Sequence, residues 1–157
     1  MSRQRLTLRI NFTVIVTALV VTALDAASKA WARDALVQHA VHVVGFVWLR
    51  LQYNSGISFS FIHSAPLITT ALTLLIALVV LVLALRAAPG LSAVGFGLLI
   101  GGGIANVLDR IGANPHEVTD FIAIGRFPVF NLADVAVSAG FVLLLVVTVR
   151  GERLMEA

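Results

Sequence analysis

Two aspartates, Asp120 and Asp134, stand between strongly apolar segments of a chain in which 59% of residues are hydrophobic. Charge is costly near a membrane, so acidic residues at such positions usually carry function. Two carboxylates held together in a poorly solvated site cannot both ionise easily, and one keeps a proton. Such a pair can activate water for attack on an amide without a metal or a side-chain nucleophile. The pattern therefore indicates a catalytic membrane protein.

Further polar residues cluster at the ends of the other apolar segments. Residues three or four apart share a face of a helix, so members of each helical cluster can act together. The clusters are Asp25 with Lys29, Asn54 alone, Asn106 with Asp109 and Arg110, and Asn131 with Asp134. We expect an acid, either Asp109 or Asp25, to hold Arg110 as a brace for the site.

Simpler interpretations remain open for single residues. Asp109 and Arg110 can form a helix-end salt bridge, and Asn131 can be a helix N-cap. Asp120 can be a solvated loop acid. An ion pair between Asp25 and Lys29 would contribute little if exposed. A cap explains one polar residue at the start of the last apolar segment, but not both Asn131 and Asp134.

Other catalytic classes have little support in the sequence. The chain has no cysteine, which excludes disulfides and thiolate chemistry. The four histidines include no pair spaced within a span as metal ligands. Ser28 and Lys29 are adjacent, and adjacent helical residues do not face each other. Gly97 and Gly101 have the spacing of close helix packing. We predict no metal and no cofactor.

The composition places the chain in the membrane class. Only 12% of residues are charged, against about 25% in soluble proteins. The net charge of +3 reflects few acids rather than a basic patch, so we predict no nucleic-acid partner. A membrane helix needs about 20 apolar residues, and only helices or closed barrels satisfy their backbone in lipid. We predict one membrane-embedded domain, residues 1–157, with four helical spans at about 10–28, 66–85, 91–109 and 131–149.

Four spans place both termini on the same side. Six of the eleven basic residues lie at the termini and in the short middle turn, which favours cytoplasmic termini. All the polar clusters then meet at the external face. The first span also has the basic start of a cleavable signal peptide, but its apolar run is long and carries Asp25. Between spans, the alternation from Val47 to Tyr53 predicts a strand, and Phe121 to Phe130 can supply another strand or turn.

These residues also match a known family in order along nearly the whole chain. The sequence closely resembles bacterial lipoprotein signal peptidase, or signal peptidase II. The matching motifs are Asp25 to Lys29, Asn54 to Phe61, Gly101 to Arg110, Val118 to Phe121, and Phe130 to Asp134. Ala105 replaces a glycine that is usual in the family, and the stretch between Asp120 and Asp134 is short.

The resemblance implies an all-α membrane protein with four transmembrane helices and a small extracytoplasmic β-cradle. It implies an aspartic endopeptidase of the bacterial inner membrane, which removes the signal peptide of diacylglyceryl-modified prolipoproteins just before the lipidated cysteine. Membrane lipids and the inhibitor globomycin are the other implied partners. By motif, Asp120 and Asp134 are the catalytic dyad. The implied supporting residues are Asp25, Asn54, Asn106, Asp109, Arg110 and Asn131.

Two functions from other classes are the alternatives. A transporter or ion-coupled channel would use buried acids as a relay, and these should lie near the middle of several spans. A structural membrane subunit would need only salt-bridged helix ends. The middles of the spans carry no acids, and a structural subunit has no need of an Asn/Asp cluster, so the peptidase is favoured.

Overall fold

The computed structural model describes residues 11–54, 66–112 and 117–156 of the 157-residue chain. His116 and the motif residues Gly56, Phe59 and Phe61 lie outside this part. The described elements follow in the order α1 (Phe12–Ala35), β1 (Val41–Val44), β2 (Val47–Asn54), α2 (Pro66–Ala84), α3 (Leu91–Ile111), β3 (Val118–Ile124) and α4 (Leu132–Val149).

Three of these helices, α1, α3 and α4, are long and apolar enough to cross a membrane. Helix α2 is 19 residues long, and its part from Leu75 to Ala84 is an apolar helical stretch. Helix α1 begins where Asn11 caps its first turn, with Oδ1 accepting the Thr13 amide at 2.9 Å. It continues to Ala35, seven residues past the predicted end of the first span at residue 28, so Asp25 and Lys29 are both helical.

Helix α3 packs between α1 and α4, and its glycines make this possible. A Cβ on Gly97 would lie 2.5 Å from Thr17 Cβ, and one on Gly101 would lie 2.7 Å from the Ala18 carbonyl oxygen, both on α1. The close packing predicted from the Gly97 and Gly101 spacing is therefore confirmed. Gly102 faces α4 in the same way. Helix α3 thus holds its neighbours at backbone contact distance.

A three-stranded antiparallel sheet, in the order β1-β2-β3, covers one end of the helices. The strand predicted from Val47 to Tyr53 is β2, the central strand. Phe121 of β3 packs with Ala32 and Leu36 at the end of α1. Beyond β3 the chain turns back, and Phe130 pairs with Ile122 before α4 begins. The sheet therefore carries Asp120 to the ends of the helices.

The opposite end of the helices is closed by the residues that follow α4. The Ala88 amide donates to the Leu154 carbonyl at 2.9 Å, and the Glu156 amide donates to the Arg86 carbonyl at 2.7 Å. Ser92 Oγ donates to the Arg153 carbonyl at 2.9 Å. These bonds join the C-terminal segment to the turn between α2 and α3. The molecule thus has one end built from the sheet and one from this turn.

Candidate active site

The polar clusters meet at the sheet end, where two aspartates are joined through one asparagine. Asp120 comes from β3, and Asp134 lies in the first turn of α4. Asn131 Nδ2 donates to Asp120 Oδ1 at 2.6 Å, and Asn131 Oδ1 accepts the Asp134 amide at 3.0 Å. The asparagine is completely buried. One rigid side chain therefore sets the relative position of the two carboxyl groups.

Asp120 is not a solvated loop residue, because it lies within a strand and is only 1% exposed. Its two carboxyl oxygens accept from Asn131 and from Asn54, whose Nδ2 donates at 3.0 Å. Burial raises the pKa of Asp120 to about 6. The hydrogen bond from Asn54 opposes this rise, whereas the nearby charge of Asp134 adds to it. This carboxyl group therefore keeps its proton far more readily than an ordinary aspartate.

Asp134 is half-buried and is held at the start of α4 by a capping box. Its Oδ2 accepts the Asn131 amide at 3.2 Å, while Asn131 caps the helix in return. Its Oδ1 accepts from Asn106 Nδ2 at 2.9 Å. Two backbone amides at the start of the helix, which have no acceptor within the helix, gain side-chain acceptors in this way. The N-cap interpretation of Asn131 is therefore correct, and the same residue also orders the candidate dyad.

A buried ion pair lies behind these residues. Lys29 Nζ is 2.7 Å from Asp25 Oδ2 and 3.4 Å from Asp109 Oδ2, and it donates to Asn106 Oδ1 at 2.9 Å. Asp25 Oδ1 accepts the Ala133 amide at 2.8 Å. Asp25 and Lys29 are each 1% exposed, so their pair is not a surface contact. Asp25 Oδ2 accepts no well-aligned hydrogen bond among the described residues, so the nearby ammonium is what compensates its burial.

Asp109 pairs with α1 and β3 rather than with Arg110. It lies 3.3 Å from Arg33 Nη1 and accepts the Thr119 amide at 2.6 Å. In the described part of the chain Arg110 forms no ion pair, and its guanidinium donates only to the Asn106 carbonyl at 3.5 Å. The expectation that an acid holds Arg110 is therefore wrong. Successive helical residues point about 100° apart, so Asp109 faces the ion pair while Arg110 lines a groove.

Three residues of this network were not among the predicted site residues. Lys29 belongs to a motif that was recognised, and Arg33 follows it by four residues on the same face of α1. That spacing could have identified both as one basic face. Thr119 contributes its backbone amide to Asp109 and its Oγ1 to Arg33, which donates at 3.0 Å. Nothing in the sequence marks a backbone donor of this kind.

Two grooves meet at Asp134. The loop groove, with a volume of 660 Å³, lies between the loop after β3 and the outer side of α4, including Phe127, Pro128 and Val142. The helix groove, with a volume of 590 Å³, lies between α2, α3 and α4, including Leu78 and Ile104. Both linings are mostly apolar, and Asp134 borders both. The half-buried carboxylate is thus reachable along two apolar paths.

Comparison with known proteins identifies the family of the chain. The family model described as signal peptidase (SPase) II matches residues 17–150. The chain belongs to this family. Signal peptidase II is a family of peptidases, so the predicted enzyme class is confirmed. Removal of signal peptides from prolipoproteins is likewise confirmed at the level of the family, and the apolar helices identify an integral membrane protein.

Individual relatives support the same family assignment, and one solved structure has a similar fold. Lipoprotein signal peptidase of Streptomyces coelicolor is 35% identical over 135 residues, which are 82% of this chain and 66% of that protein. The Gloeobacter violaceus lipoprotein signal peptidase is 37% identical over 142 residues, 86% of this chain and 80% of that protein. A solved bacterial membrane enzyme matches with a TM-score of 0.77 at 24% identity, over 87% of this chain and 92% of the other. This last likeness concerns the fold.

Proposed function

We propose that Asp120 and Asp134 are the catalytic dyad of a prolipoprotein signal peptidase. The observation that carries this proposal is the position of Asn131, which hydrogen-bonds to both aspartates at the point where two apolar grooves meet. The burial of Asp120 supports a pair that shares one proton, since its raised pKa keeps one carboxyl group protonated in mildly acidic conditions.

The chemistry needs one carboxylate and one carboxylic acid. The carboxylate takes a proton from water, whose oxygen attacks the carbonyl carbon of the peptide bond. The carboxylic acid gives its proton to the carbonyl oxygen, which forms a tetrahedral diol. The carbon–nitrogen bond then breaks as the amine nitrogen takes the first proton. The other aspartate regains its proton from the diol, so the products are an acid, an amine and the original dyad.

The substrate proposed is a diacylglyceryl-modified prolipoprotein, cut just before the lipidated cysteine. An apolar signal peptide and two acyl chains need separate apolar surfaces on either side of the scissile bond. The loop groove and the helix groove offer two such surfaces, and both reach Asp134. Inhibitors of the globomycin type would compete for the same space, and membrane lipids would fill it between turnovers.

We further propose one membrane domain with four transmembrane helices in the bacterial inner membrane. In this arrangement α2 is the fourth span, both termini are cytoplasmic and the sheet is the external β-cradle. The charge bias of the termini supports this direction. The site residues also lie together at the sheet end, where α1 and α3 end and α4 begins.

The decisive experiment measures cleavage of a diacylglyceryl-modified lipobox peptide by the purified full-length protein in detergent. Asp120→Asn and Asp134→Asn should each lower kcat by about 10²–10⁴ or more, because an amide cannot accept or return the water's proton. Asp34→Asn is the matched control, since Asp34 is an exposed acid of α1 outside the site. Robust turnover by either dyad variant would refute this proposal.

A further inference from the structure

Asn106 connects the buried ion pair to the candidate dyad. Its Oδ1 accepts from Lys29 Nζ at 2.9 Å and from Asn131 Nδ2 at 3.2 Å. Its Nδ2 donates to Asp134 Oδ1 at 2.9 Å. An ammonium group has donors only, so the amide must present its oxygen to Lys29. The nitrogen is then left to face Asp134.

Lys29 is fixed in place more firmly than packing alone requires. It is 1% exposed, and its ammonium contacts Asp25, Asp109 and Asn106 at 2.7–3.4 Å. Burying an ammonium is costly, and lysine is rarely buried unless it is paired. The two acids neutralise the charge, but they do not explain the third contact. That third contact is the one directed at the dyad.

We propose that Lys29 is a positioning residue of the catalytic site: it locks the Asn106 amide so that Asp134 always receives a donated hydrogen bond. This inference rests on the proposed dyad. A donated N–H favours a carboxylate over a carboxylic acid. Asp134 is then the member that takes the proton from water, and Asp120 is the member that carries the shared proton.

Among the described charged groups, Lys29 is the one that donates to the Asn106 oxygen, at 2.9 Å, and the longer 3.2 Å bond from Asn131 is the neutral contact on the same atom. Without its ammonium, the Asn106 amide can rotate and present its oxygen to Asp134, an arrangement that only a protonated Asp134 tolerates. Arg33 cannot substitute, because its described contacts are Asp109 and Thr119. The groups facing the Lys29 ammonium and the dyad are Asp25 and Arg33 from α1, Asp109 from α3, Asp120 from β3 and Asp134 from α4.

The first test compares the double variant Asp25→Asn/Lys29→Met with Asp25→Asn alone. The double variant removes one positive and one negative charge, so no buried ion is stranded, and the amide oxygen introduced by Asp25→Asn can still accept from the Ala133 amide. Adding Lys29→Met should lower kcat by about 10–100-fold. This is the size of effect seen when an outer partner that orients an active-site side chain is removed. KM should stay within about threefold, because Lys29 lines neither groove. The control Ser92→Ala removes a buried hydrogen bond at the opposite end of the helices, so it should lower the melting temperature while leaving kcat within about threefold.

The second test probes the Asn106 amide directly, first with Lys29 unchanged. Asn106→Asp keeps an acceptor for the ammonium, so the protein should stay folded. It offers no donor to Asp134, so kcat should fall at least as far as in the Lys29 variant. In an Asn106→Ala/Asp25→Asn background, which leaves no stranded buried ion, Lys29→Met should have less than about a twofold effect on kcat, since Lys29 and Asn106 act through one path.

Three results would overturn the role of Lys29. These are full turnover by Asn106→Asp, an undiminished effect of Lys29→Met in the Asn106→Ala/Asp25→Asn background, and a kcat change on adding Lys29→Met to Asp25→Asn that is no larger than the change caused by Ser92→Ala. The dyad variants measured beside them separate this failure from a wrong function. If Asp120→Asn and Asp134→Asn are inactive while the Lys29 variants turn over normally, only the positioning role fails.

Discussion

Asp120 combines nearly complete burial with two amide donors, and these act on its proton in opposite directions. Burial favours the neutral acid, whereas hydrogen bonds from Asn54 and Asn131 favour the anion. Burial dominates, and the pKa of Asp120 rises to about 6. A group with this pKa can gain and lose a proton near neutral pH, as acid–base catalysis requires.

The pH dependence of kcat/KM should report this carboxyl group in the free enzyme. If Asp120 carries the shared proton, kcat/KM should decrease as the pH rises above about 6. Bound substrate excludes water from the site, so the corresponding decrease in kcat should occur at higher pH. Rate profiles between pH 5 and 9 with the lipidated peptide measure both. A kcat/KM that is constant over this range would show that the proton is held elsewhere.

The same carboxyl group should make stability depend on pH. Because its folded pKa of about 6 exceeds the ordinary value of 3.8, the folded state binds a proton that the unfolded chain has released in this window. Its stabilising contribution should be complete below pH 3.8 and should be lost as the pH rises through about 6. The melting temperature of Asp120→Asn, relative to the parent, should therefore increase across this window. Equal slopes for the two proteins would contradict the raised pKa.

At the scale of elements, two helices begin with an asparagine cap, and only one of these caps lies at the site. Asn131→Ala and Asn11→Ala should each destabilise their helix by about 0.5–2 kcal/mol, because each removes a capping oxygen. Only Asn131→Ala should also lower kcat strongly, since it removes a hydrogen bond to Asp120. Melting temperatures and turnover measured together separate the two effects. Equal turnover in the two variants would mean that Asn131 acts only as a helix cap.

The contact between α3 and α4 offers a second matched pair. A Cβ on Gly102 would lie 2.5 Å from the Ala133 carbonyl oxygen, next to Asp134, whereas a Cβ on Gly103 would meet nothing within 4 Å. Gly102→Ala should cost about 1–3 kcal/mol by overpacking and should lower turnover as α4 shifts. Gly103→Ala should match or exceed the parent in melting temperature, because alanine favours the helix. Similar melting temperatures for the two variants would mean that α4 accommodates the methyl group.

At the scale of the whole molecule, the two ends of the helix assembly have different tasks. The sheet end holds the candidate dyad and the buried ion pair, and the other end joins the C-terminal segment to the turn between α2 and α3. In the described ranges the aspartates of the polar network lie at the sheet end rather than along the helices. An acid relay through the membrane would need them at several depths, so this distribution favours a peptidase over a transporter.

Reporter fusions test the proposed direction of these ends. A fusion after the C-terminal residue should report a cytoplasmic location. An even number of spans puts both termini on the same side, and the arginines near the termini favour the cytoplasm. A reporter inserted near His42 in β1, or near His116, should report an external location. The insertion near His42 should be placed beside the exposed Gly45 turn so that the sheet is kept. An external C-terminus would place the dyad on the cytoplasmic side and contradict the proposed topology.

Much of this arrangement follows from local patterns in the sequence. Runs of apolar residues give the helices, because backbone in lipid must satisfy its own hydrogen bonds. The alternation of apolar and polar residues predicts β2, and the i, i+3 spacing places Asn131 and Asp134 on one helix face. Because successive apolar segments run in opposite directions, the polar clusters come to a common end. These inferences need only the geometry of a single element or the order of elements along the chain.

The partners of each charge were decided by the tertiary structure. Asp109 pairs with Lys29 and Arg33, 80 and 76 residues away in sequence, rather than with the adjacent Arg110. Asp120 becomes buried because β3 pairs with β2 in the register that places it opposite Gln52. The orientation of the Asn106 amide likewise depends on Lys29 from another helix. Spacing along one element fixes only which residues share a face, whereas the rotation and register of packed elements determine what that face contacts.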